Sequence, residues 1–283
     1  MASVDDNLKY WNTMYDWSGA GDEWSADFGG TEALWFFVLY PRIHRFLPSS
    51  AILEIAPGQG RWTRFLKSQC QSMIAVDLSE SCIAHCKTRF ASDSHVQFHV
   101  NDGRSLAAVP DDSIDFVYSF DSLVHVEKEV MEGYLTQLSR KLKPDGVGFL
   151  HHSNLGAYPG RLALLNSYSR LPALFRKHIL TEARMYALLS IPQAWRATSM
   201  TAALFRQYCQ QAALKCIGQE VMNWGEGKCL IDTISVFTKP NSRWDREPTY
   251  VENTKFVEVA GLTARLAKLY CSSQDSPGGA QNK

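Results

Sequence analysis

The chain has 283 residues, 45% of them hydrophobic, and its 29 basic and 29 acidic residues give a formal net charge of zero. This composition can fill an ordinary globular core and excludes a disordered chain, and the balanced charge argues against a protein organised to bind nucleic acid. No run of about 18 apolar residues occurs and the start, Met1–Lys9, is polar and acidic, so the sequence predicts a cytoplasmic protein without a membrane span or a secretory signal.

The seven cysteines are an odd number and lie scattered along the chain. Cys82 and Cys86 are spaced for one helix face, but no partner pair lies elsewhere, so neither zinc nor a disulfide framework is indicated. We expect reduced, mostly buried thiols.

The first fifty residues are rich in aromatic side chains, which glycines interrupt. This pattern predicts a short helix, a glycine-bearing loop to about Gly30, and a second helix from Thr31 to Phe46. The aromatic residues either pack against a sheet or form a cap over bound ligands, where ring faces suit a cation or a sugar. They are Tyr10, Trp11, Tyr15, Trp17, Trp24, Phe28, Trp35, Phe36, Phe37 and Tyr40.

The stretch Ile52–Gly60 opens with an apolar run of strand length and closes in a Gly-x-Gly turn, after which Arg61–Leu66 is predicted to start a helix. This order forms the first piece of a nucleotide-binding α/β sheet, because glycines let the backbone pass close to a ligand and the helix offers free N–H groups. Thr63 holds the place of the third glycine of the dinucleotide fingerprint, which disfavours a dehydrogenase. Glu54, at the strand end, suits a cationic ligand better than a pyrophosphate.

These residues resemble motif I of the class I S-adenosylmethionine-dependent methyltransferases, E/D-x-x-x-G-x-G, matched by Glu54, Gly58 and Gly60. S-adenosylmethionine carries an ammonium and a sulfonium and no phosphate. The resemblance implies an α/β fold: a Rossmann-like seven-stranded methyltransferase sheet with helices on both faces, an N-terminal helical cap and a helical lid insertion. Arg61 and Trp62, directly after the loop, are predicted to pack or to face solvent. The resemblance implies S-adenosylmethionine as the cofactor, held by Glu54, Ala56, Gly58, Gly60, Asp77, Leu78, Asp102, Gly103 and Ser119.

Two more strands follow in the family's order. Met73–Val76 is a short apolar strand that ends in Asp77, 23 residues after Glu54, and this is near the roughly 20-residue spacing of an acidic residue that holds ribose hydroxyls. Val96–Val100 is predicted as the third strand. The resemblance assigns Asp102, just after it, to the adenine amino group, and a simple turn aspartate is the alternative.

The next landmarks also match the family. Asp111–Ser119 is an acidic turn that feeds a strand and resembles motif IV. Its carboxyl end, Ser119-Phe120-Asp121, should face the cofactor, because ligands of such sheets lie outside the strand ends. A helix from about Glu127 to Leu142 is predicted to stop at Lys143-Pro144-Asp145-Gly146, which is similar to the family's L-K-P-G-G turn, and the strand Val147–His151 follows.

Beyond this point the predicted elements are less regular. Leu155–Ser199 carries three prolines among basic and apolar residues, which predicts short inserted helices that form a lid and select the acceptor. Ser199–Ala213 predicts a core helix, and Leu214–Trp224 and Cys229–Thr238 predict a closing strand pair around Gly225–Gly227. The predicted units are an aromatic-rich helical cap at 1–47, the methyltransferase domain at 48–240 with its lid at about 155–199, and a C-terminal extension at 241–283 that is frayed from about 272.

An alcohol acceptor must lose a proton as the methyl group moves, so a neutral imidazole or a carboxylate near the transfer point can act as a base. His125, four residues past Asp121, lies where the chain leaves the fourth strand, and we predict it as the base, with helix-start packing as the alternative. Strand alternation sends His151 and His152 to opposite faces, and we favour His152 for the pocket. The predicted catalytic residues are therefore His125, His152 and Asp121. Together they could instead bind a divalent metal, as in some sugar O-methyltransferases, although no spacing fixes a ligand set.

The acceptor is predicted from a second resemblance. The aromatic N-terminal region and the stretch Gln219–Gly225, followed by Leu230–Thr233, are similar to methyltransferases found with glycan-building enzymes. This similarity implies O-methylation of a carbohydrate, at a hydroxyl of a sugar or glycan. The alternatives are an O- or N-methyltransferase of a small natural product and a non-catalytic binding subunit of a partner complex. We expect a small-molecule or glycan acceptor, no nucleic acid, and a monomer or homodimer.

Overall fold

The computed structural model describes residues 3–178, 180–191, 195–224 and 228–271, and in this part of the chain eight strands form one sheet. The strands are β1 (Ser49–Ile55), β2 (Cys70–Asp77), β3 (Val96–Val100), β4 (Ile114–Ser119), β5 (Leu142–Ser153), β6 (Lys215–Met222), β7 (Asp232–Thr238) and β8 (Thr249–Asn253). Their order is β3-β2-β1-β4-β5-β7-β6-β8. Strands β1 to β5 pair in parallel, whereas β7 runs antiparallel to β5 and β6. The predicted α/β sheet is confirmed, but its number of strands is corrected from seven to eight, because β8 adds in parallel to β6.

The helices lie before, between and after these strands. They are α1 (Val4–Lys9), α2 (Thr31–Leu34), α3 (Tyr40–Ile43), α4 (Thr63–Leu66), α5 (Glu80–Arg89), α6 (Lys128–Lys141), α7 (Pro159–Ser169), α8 (Ala173–His178), α9 (Glu182–Leu189), α10 (Ala202–Gln211) and α11 (Phe256–Tyr270). A continuous helical run occupies the predicted stretch from Thr31 to Phe46, although its middle, Trp35–Leu39, is a π-helical turn.

Neighbouring residues of the central strands face two hydrophobic layers. Leu53 and Leu150 belong to the layer that contains residues of α6 and α10, and Ile52 and Phe149 belong to the layer formed with the 31–46 helical run. All four are at most 1% exposed, and burial of each such side chain stabilises the fold by about 2 kcal/mol. A sheet covered on both faces leaves the ends of its strands as the place for ligands.

The insertion at 155–199 forms α7, α8 and α9 and has a small core of its own. Tyr168, Met185 and Leu189 are buried there against Ile231, which directly precedes β7. The insertion is thereby packed against the antiparallel end of the sheet.

The C-terminal helix α11 packs against a 3-10 helical segment near the start of the chain, Asp22–Phe28. The rings of Phe28 and Phe256 are 5.8 Å apart, and Phe256 also stacks on Trp224 at 5.5 Å. No helix was predicted in this extension.

None of the helices within the described ranges is long and apolar enough to cross a membrane. The predicted turn Gly225–Gly227 and the predicted frayed tail from Ser272 lie outside the described residues.

Candidate functional site

The loop after β1 contains three residues in the left-handed region of backbone conformation. Ala56, Gly58 and Gly60 have φ values of 57°, 57° and 86°. A Cβ on Gly60 would lie 2.4 Å from the Phe90 ring, and one on Gly58 would lie 2.9 Å from the Trp17 ring. The two motif glycines are therefore required by close packing as well as by their backbone conformation.

This loop forms a wall of a cavity of about 850 Å³, its mouth included, which we call the loop cavity. Five of the predicted cofactor residues line it: Ala56, Gly58, Asp77, Leu78 and Gly103. Four others lie outside the lining: Glu54, Gly60, Asp102 and Ser119.

Asp77 ends β2 and is buried beside the loop. The backbone N–H of Gly58 donates to its Oδ2 at 2.9 Å, and the N–H of Ser79 donates to its Oδ1 at 2.8 Å. Burial raises the pKa of Asp77 to about 6, although these two hydrogen bonds oppose the rise. Each oxygen keeps a further lone pair, so the carboxylate can still accept hydrogen bonds from two hydroxyl groups.

Glu54 lies beneath the loop and is 1% exposed. The Thr63 hydroxyl donates to its Oε2 at 2.5 Å, and Oε1 has no hydrogen-bond partner among the described residues. Burial raises the pKa of Glu54 to about 8, and the negative charge of Asp77 adds to the rise. The sequence suggested an ionised carboxylate facing a cation, whereas burial favours the protonated form of this group, and the hydrogen bond from Thr63 joins it to the start of α4.

Asp102 and Ser119 engage backbone groups. Asp102 is exposed, and its Oδ1 accepts hydrogen bonds from two backbone N–H groups just after it, at 2.9 and 2.6 Å. This is the turn arrangement that the sequence offered as an alternative. Ser119 donates to the Ile55 carbonyl at 2.7 Å. Asn101, one residue before Asp102, lines the loop cavity instead.

The N-terminal segment lies over the loop cavity. Trp11 and Trp17 line it, and the Trp17 indole N–H donates to the Trp11 carbonyl at 2.9 Å. The Asn12 side chain accepts hydrogen bonds from the Ser79 hydroxyl and from the Ser81 N–H, each at 3.0 Å. These contacts tie the segment to the first turn of α5, so that aromatic rings close one side of the cavity.

A second cavity of about 960 Å³, its mouth included, adjoins the first, and we call it the aromatic cavity. Six aromatic rings, three carboxylates and one guanidinium line it: Tyr10, Trp11, Tyr15, Trp24, Trp195, Trp224, Glu23, Asp27, Asp121 and Arg196, together with His125 and Ala26. Trp11, Trp24, Asp121 and His125 line both cavities. We call these four residues the common wall, since they line both cavities.

Asp121 follows β4 with a φ of 64°, which is unusual for a residue other than glycine. Arg61 forms an ion pair with it at 3.0 Å, with 5% and 11% of the two side chains exposed. The Asp121 N–H donates to Nδ1 of His151 at 3.1 Å. The Arg61 guanidinium also lies 4.4 Å from the Trp62 ring and 5.1 Å from the Trp24 ring. The sequence pointed to packing or solvation for Arg61 and missed this ion pair.

Arg196 reaches the aromatic cavity from the insertion. Buried Asp232 accepts two hydrogen bonds from its guanidinium, at 2.8 and 3.0 Å. Burial alone would raise the pKa of Asp232, but the charge of Arg196 and the nearby His151, whose Nε2 lies 3.5 Å from Oδ2, outweigh it and lower the pKa to about 2. The charge of Arg196 is therefore balanced by its ionised partner.

His125 is buried in the common wall between two indole rings. Its ring centroid is 5.3 Å from that of Trp11 and 4.8 Å from that of Trp195. Burial lowers the pKa of His125 to about 3, with a further contribution from the charge of Arg196, so the imidazole is neutral at pH 7. Its Nδ1 has no hydrogen-bond partner within the described ranges. A neutral imidazole with such a nitrogen can accept a proton.

His151 and His152 face opposite sides of β5, as alternation predicts. The His152 ring stacks on Phe205 of α10 at 4.5 Å, and both of its nitrogens are hydrogen-bonded, Nε2 with the Ser235 hydroxyl at 2.8 Å. The predicted position of His152 in the pocket is therefore corrected. His151 is the histidine on the side of the common wall, where it contacts Asp121.

Trp195 and Arg196 carried no sequence signal, since they come from the insertion and no motif marks them. Trp224, just after β6, lies in the stretch Gln219–Gly225 on which the predicted acceptor rests. For Arg61, by contrast, the position directly after the glycine loop was a signal. In the part of the chain that the structure describes, no group of three His, Cys, Asp or Glu side chains is placed to hold a metal ion.

The geometry agrees with what the chain is similar to. Residues 52–146 match a family described as a methyltransferase domain. Curated proteins from two strains of Mycobacterium tuberculosis, each named "Probable S-adenosylmethionine-dependent methyltransferase", are 24% identical to the chain over 141 residues, which cover 48% of the chain and 49% of each relative. The chain thus spans about half the length of the curated relatives it matches.

Solved structures share the fold. The PH0226 protein of Pyrococcus horikoshii OT3 superposes with a TM-score of 0.51 at 18% identity, over 82% of this chain and 95% of that one. An S-adenosylmethionine-dependent methyltransferase from Clostridium acetobutylicum ATCC 824 gives a TM-score of 0.50 at 13% identity, over 74% and 92% of the two chains. At these identities the likeness concerns the fold alone.

Proposed function

We propose that this protein moves a methyl group from S-adenosylmethionine in the loop cavity to a hydroxyl group in the aromatic cavity, and the match of residues 52–146 to a methyltransferase domain supports this. The common wall carries the proposal, because Trp11, Trp24, Asp121 and His125 line both cavities. An in-line displacement needs donor and acceptor on opposite sides of one point, and two cavities that share a wall provide such a point.

The residues around the loop cavity fit the proposed cofactor. S-adenosylmethionine supplies, when bound, an electrophilic methyl group on a positively charged sulfur. Asp77 would accept hydrogen bonds from the ribose hydroxyls, and Leu78 and Gly103 would flank the adenine. The rings of Trp11 and Trp24 offer faces that attract a cation. Glu54, Gly60 and Ser119 would hold the loop in shape from behind the lining, and Asp102 would hold the turn beside Gly103.

His125 is the proposed base. When the acceptor hydroxyl is methylated, its proton would pass to Nδ1 of His125, which has no hydrogen-bond partner among the described residues. The negative charges of Asp121 and Asp232 raise the pKa of His125 against the effect of burial, so they stabilise the imidazolium once it forms. Arg61 and His151 would hold Asp121 in place for this role.

The lining of the aromatic cavity supports a sugar as the acceptor. Tyr10, Trp11, Tyr15, Trp24, Trp195 and Trp224 offer flat apolar faces for the C–H groups of a sugar ring. Glu23 and Asp27 are exposed carboxylates at the same cavity that can accept hydrogen bonds from hydroxyl groups.

One observation favours a second candidate, methylation of a small amine. Glu23 and Asp27 form no ion pair with a basic side chain among the described residues, and aromatic rings together with unpaired carboxylates also suit an ammonium group. Labelled methyl transfer to panels of glycosides, phenols and amines separates the two. Transfer of label to amines alone would make an amine, and not a sugar, the proposed acceptor.

The test of the mechanism replaces His125 by glutamine. We expect His125→Gln to lower turnover by about 100-fold or more, the usual contribution of a general base, while calorimetry shows little change in cofactor affinity. His152→Gln is the comparison, because His152 is also buried but packs against Phe205 of α10, away from the common wall. A near-normal rate for His125→Gln would remove it as the base, and a selective loss in His152→Gln would move the role there.

The same calorimetry tests the enzyme against a non-catalytic binding subunit. We expect the wild-type protein to bind S-adenosylmethionine, because Asp77 and the glycine loop are intact around the loop cavity. A wild-type protein that shows no detectable binding would refute the methyltransferase activity itself.

A further inference from the structure

The insertion carries an apolar tip at the turn between α7 and α8. The tip is Leu171-Pro172-Ala173-Leu174-Phe175, and each of its residues is exposed. The exposed fraction reaches 75% at Leu174 and is 38% at Leu171 and 39% at Phe175. Single exposed apolar side chains are ordinary on a protein surface, whereas neighbouring ones that form a patch make a candidate interaction site.

Hydrogen bonds close the turn that carries the tip. Arg176 donates from Nε to the Leu171 carbonyl at 3.0 Å, and its backbone N–H donates to the Pro172 carbonyl at 3.1 Å. At the base of the turn, buried Tyr168 donates from its hydroxyl to the Leu180 carbonyl at 2.7 Å. The apolar side chains therefore project from a closed turn whose base is anchored in the core of the insertion.

The tip stands in a basic surrounding. Residues 155–199 contain six Lys or Arg residues and a single acidic residue, Glu182, although the whole chain is balanced. Arg170 directly precedes the tip and is exposed, Arg176 directly follows it and is partly exposed, and Arg184 is exposed on α9, which packs against α7. Among the described side chains of this set, Arg196 is the member whose charge an ion pair balances.

We propose that the apolar tip docks this protein on an anionic lipid surface. Leu174 and Phe175 would enter the boundary between headgroups and acyl chains, and the guanidinium groups of Arg170, Arg176 and Arg184 would contact the headgroup phosphates. An anionic lipid surface satisfies both the positive charge and the exposed apolar run. A nucleic acid would satisfy the arginines but would leave Leu174 and Phe175 without an apolar partner.

The insertion that carries the tip also contributes residues to the aromatic cavity. The insertion continues to Trp195 and Arg196, which line that cavity, and its core packs against Trp224, which lines it too. A lipid surface at the tip would therefore lie against the insertion that supplies Trp195 and Arg196 to the lining of the aromatic cavity. The docking itself does not depend on methyl transfer.

The test is co-sedimentation of the full chain with vesicles. We expect the wild-type protein to sediment with phosphatidylcholine vesicles that contain about one-third phosphatidylglycerol, to bind pure phosphatidylcholine weakly, and to be released as salt screens the arginines. Leu174→Glu should lower the bound fraction by about fivefold or more, because it places a carboxylate where an apolar side chain would enter the lipid. The paired change Arg170→Glu and Arg184→Glu should remove the preference for the anionic vesicles.

The matched control is Leu269→Glu on α11, since Leu269 is 73% exposed, close to the value for Leu174. It should bind vesicles like the wild type, and thermal melting of each variant checks that it is folded. The proposal fails if the wild type does not sediment with the anionic vesicles, or if Leu174→Glu and Leu269→Glu behave alike. It also fails if analytical ultracentrifugation shows a dimer that Leu174→Glu dissociates, because a second copy of the chain would then cover the tip.

Discussion

Replacement of Glu54 by glutamine tests the protonation state beneath the glycine loop. Glutamine keeps an oxygen that can accept the hydrogen bond from Thr63, and it removes the ionisable group. Burial raises the pKa of Glu54 from 4.5 to about 8. A group whose pKa is raised in the folded state contributes stability that is complete below its unfolded pKa and is lost as the pH rises through the folded one.

The expected magnitude follows from this difference. One proton held by the folded chain and not by the unfolded chain gives a slope of about 1.4 kcal/mol per pH unit, which fades near the folded pKa. For a folded pKa of about 8, the wild type should lose about 2 kcal/mol of unfolding free energy between pH 6.5 and 8.5 through this group. Glu54→Gln should not show that loss.

Urea unfolding at several pH values measures this slope. Because the wild type and the variant share all other titrating groups, the difference between their slopes isolates Glu54. The matched control is Glu258→Gln, at an exposed position of α11. We also expect Glu54→Gln to bind S-adenosylmethionine like the wild type, because Glu54 does not line the loop cavity. A variant that keeps the wild-type slope would show that Glu54 is ionised in the folded protein. A loss of cofactor affinity in the variant would show that Glu54 contacts the cofactor directly.

Two further substitutions test the loop cavity and the packing of α11. Asp77→Ala should weaken S-adenosylmethionine binding by about tenfold or more in calorimetry, because it removes the carboxylate proposed to hold the ribose, while circular dichroism shows a folded protein; unchanged affinity would contradict that role. Gly29→Ala should lower the unfolding free energy by about 2 kcal/mol more than Gly30→Ala, since both have positive φ but only a Cβ on Gly29 would lie 2.6 Å from Ala267. Equal losses of unfolding free energy would show that the cost comes from the positive φ alone and not from contact with Ala267.

The sequence predicted the parallel half of the fold well because most of those strands contain a buried apolar run, as β1, β2, β4 and β5 do. The third strand was predicted at Val96–Val100 and has those bounds. Strand β8 escaped prediction because the side chains of Thr249–Asn253 are mostly exposed and show no apolar alternation. Its strand conformation comes from pairing with β6, which is a tertiary contact that local sequence does not encode.

The aromatic residues near the start of the chain divide between the two roles that the sequence left open. Those from Tyr10 to Trp24 line the two cavities. Trp35, on the following helical run, stacks on Phe65 at 4.9 Å within the hydrophobic layer of the sheet. Composition alone could not separate these groups, because both need large apolar rings and only the path of the chain assigns each ring to a cavity or to the core.

The face of each histidine on β5 depended on register. Alternation predicted that His151 and His152 diverge, but which one meets the common wall depends on the pairing of β5 with β4, and this pairing shifts between Ile114 and Phe116. The ion pair of Arg61 with Asp121 joins residues 60 positions apart, so it too required the folded chain.

Charge balance gives a reason for the composition of the common wall. Two cations beside the wall, Arg61 and Arg196, are paired with Asp121 and Asp232, and His125 is neutral at pH 7, so these groups add no net positive charge beside a bound sulfonium. In the proposed reaction His125 would gain the proton of the acceptor hydroxyl, while a bound sulfonium would lose its charge. Positive charge is therefore moved across the wall and not created in a buried site, which avoids the large cost of a new unpaired charge in a low dielectric.

The pH dependence of turnover tests this charge balance. Because burial lowers the pKa of His125 to about 3, turnover should show no decline from protonation of His125 between pH 8 and pH 5. A His125-dependent decline with a midpoint near pH 6.5 would refute the charge balance.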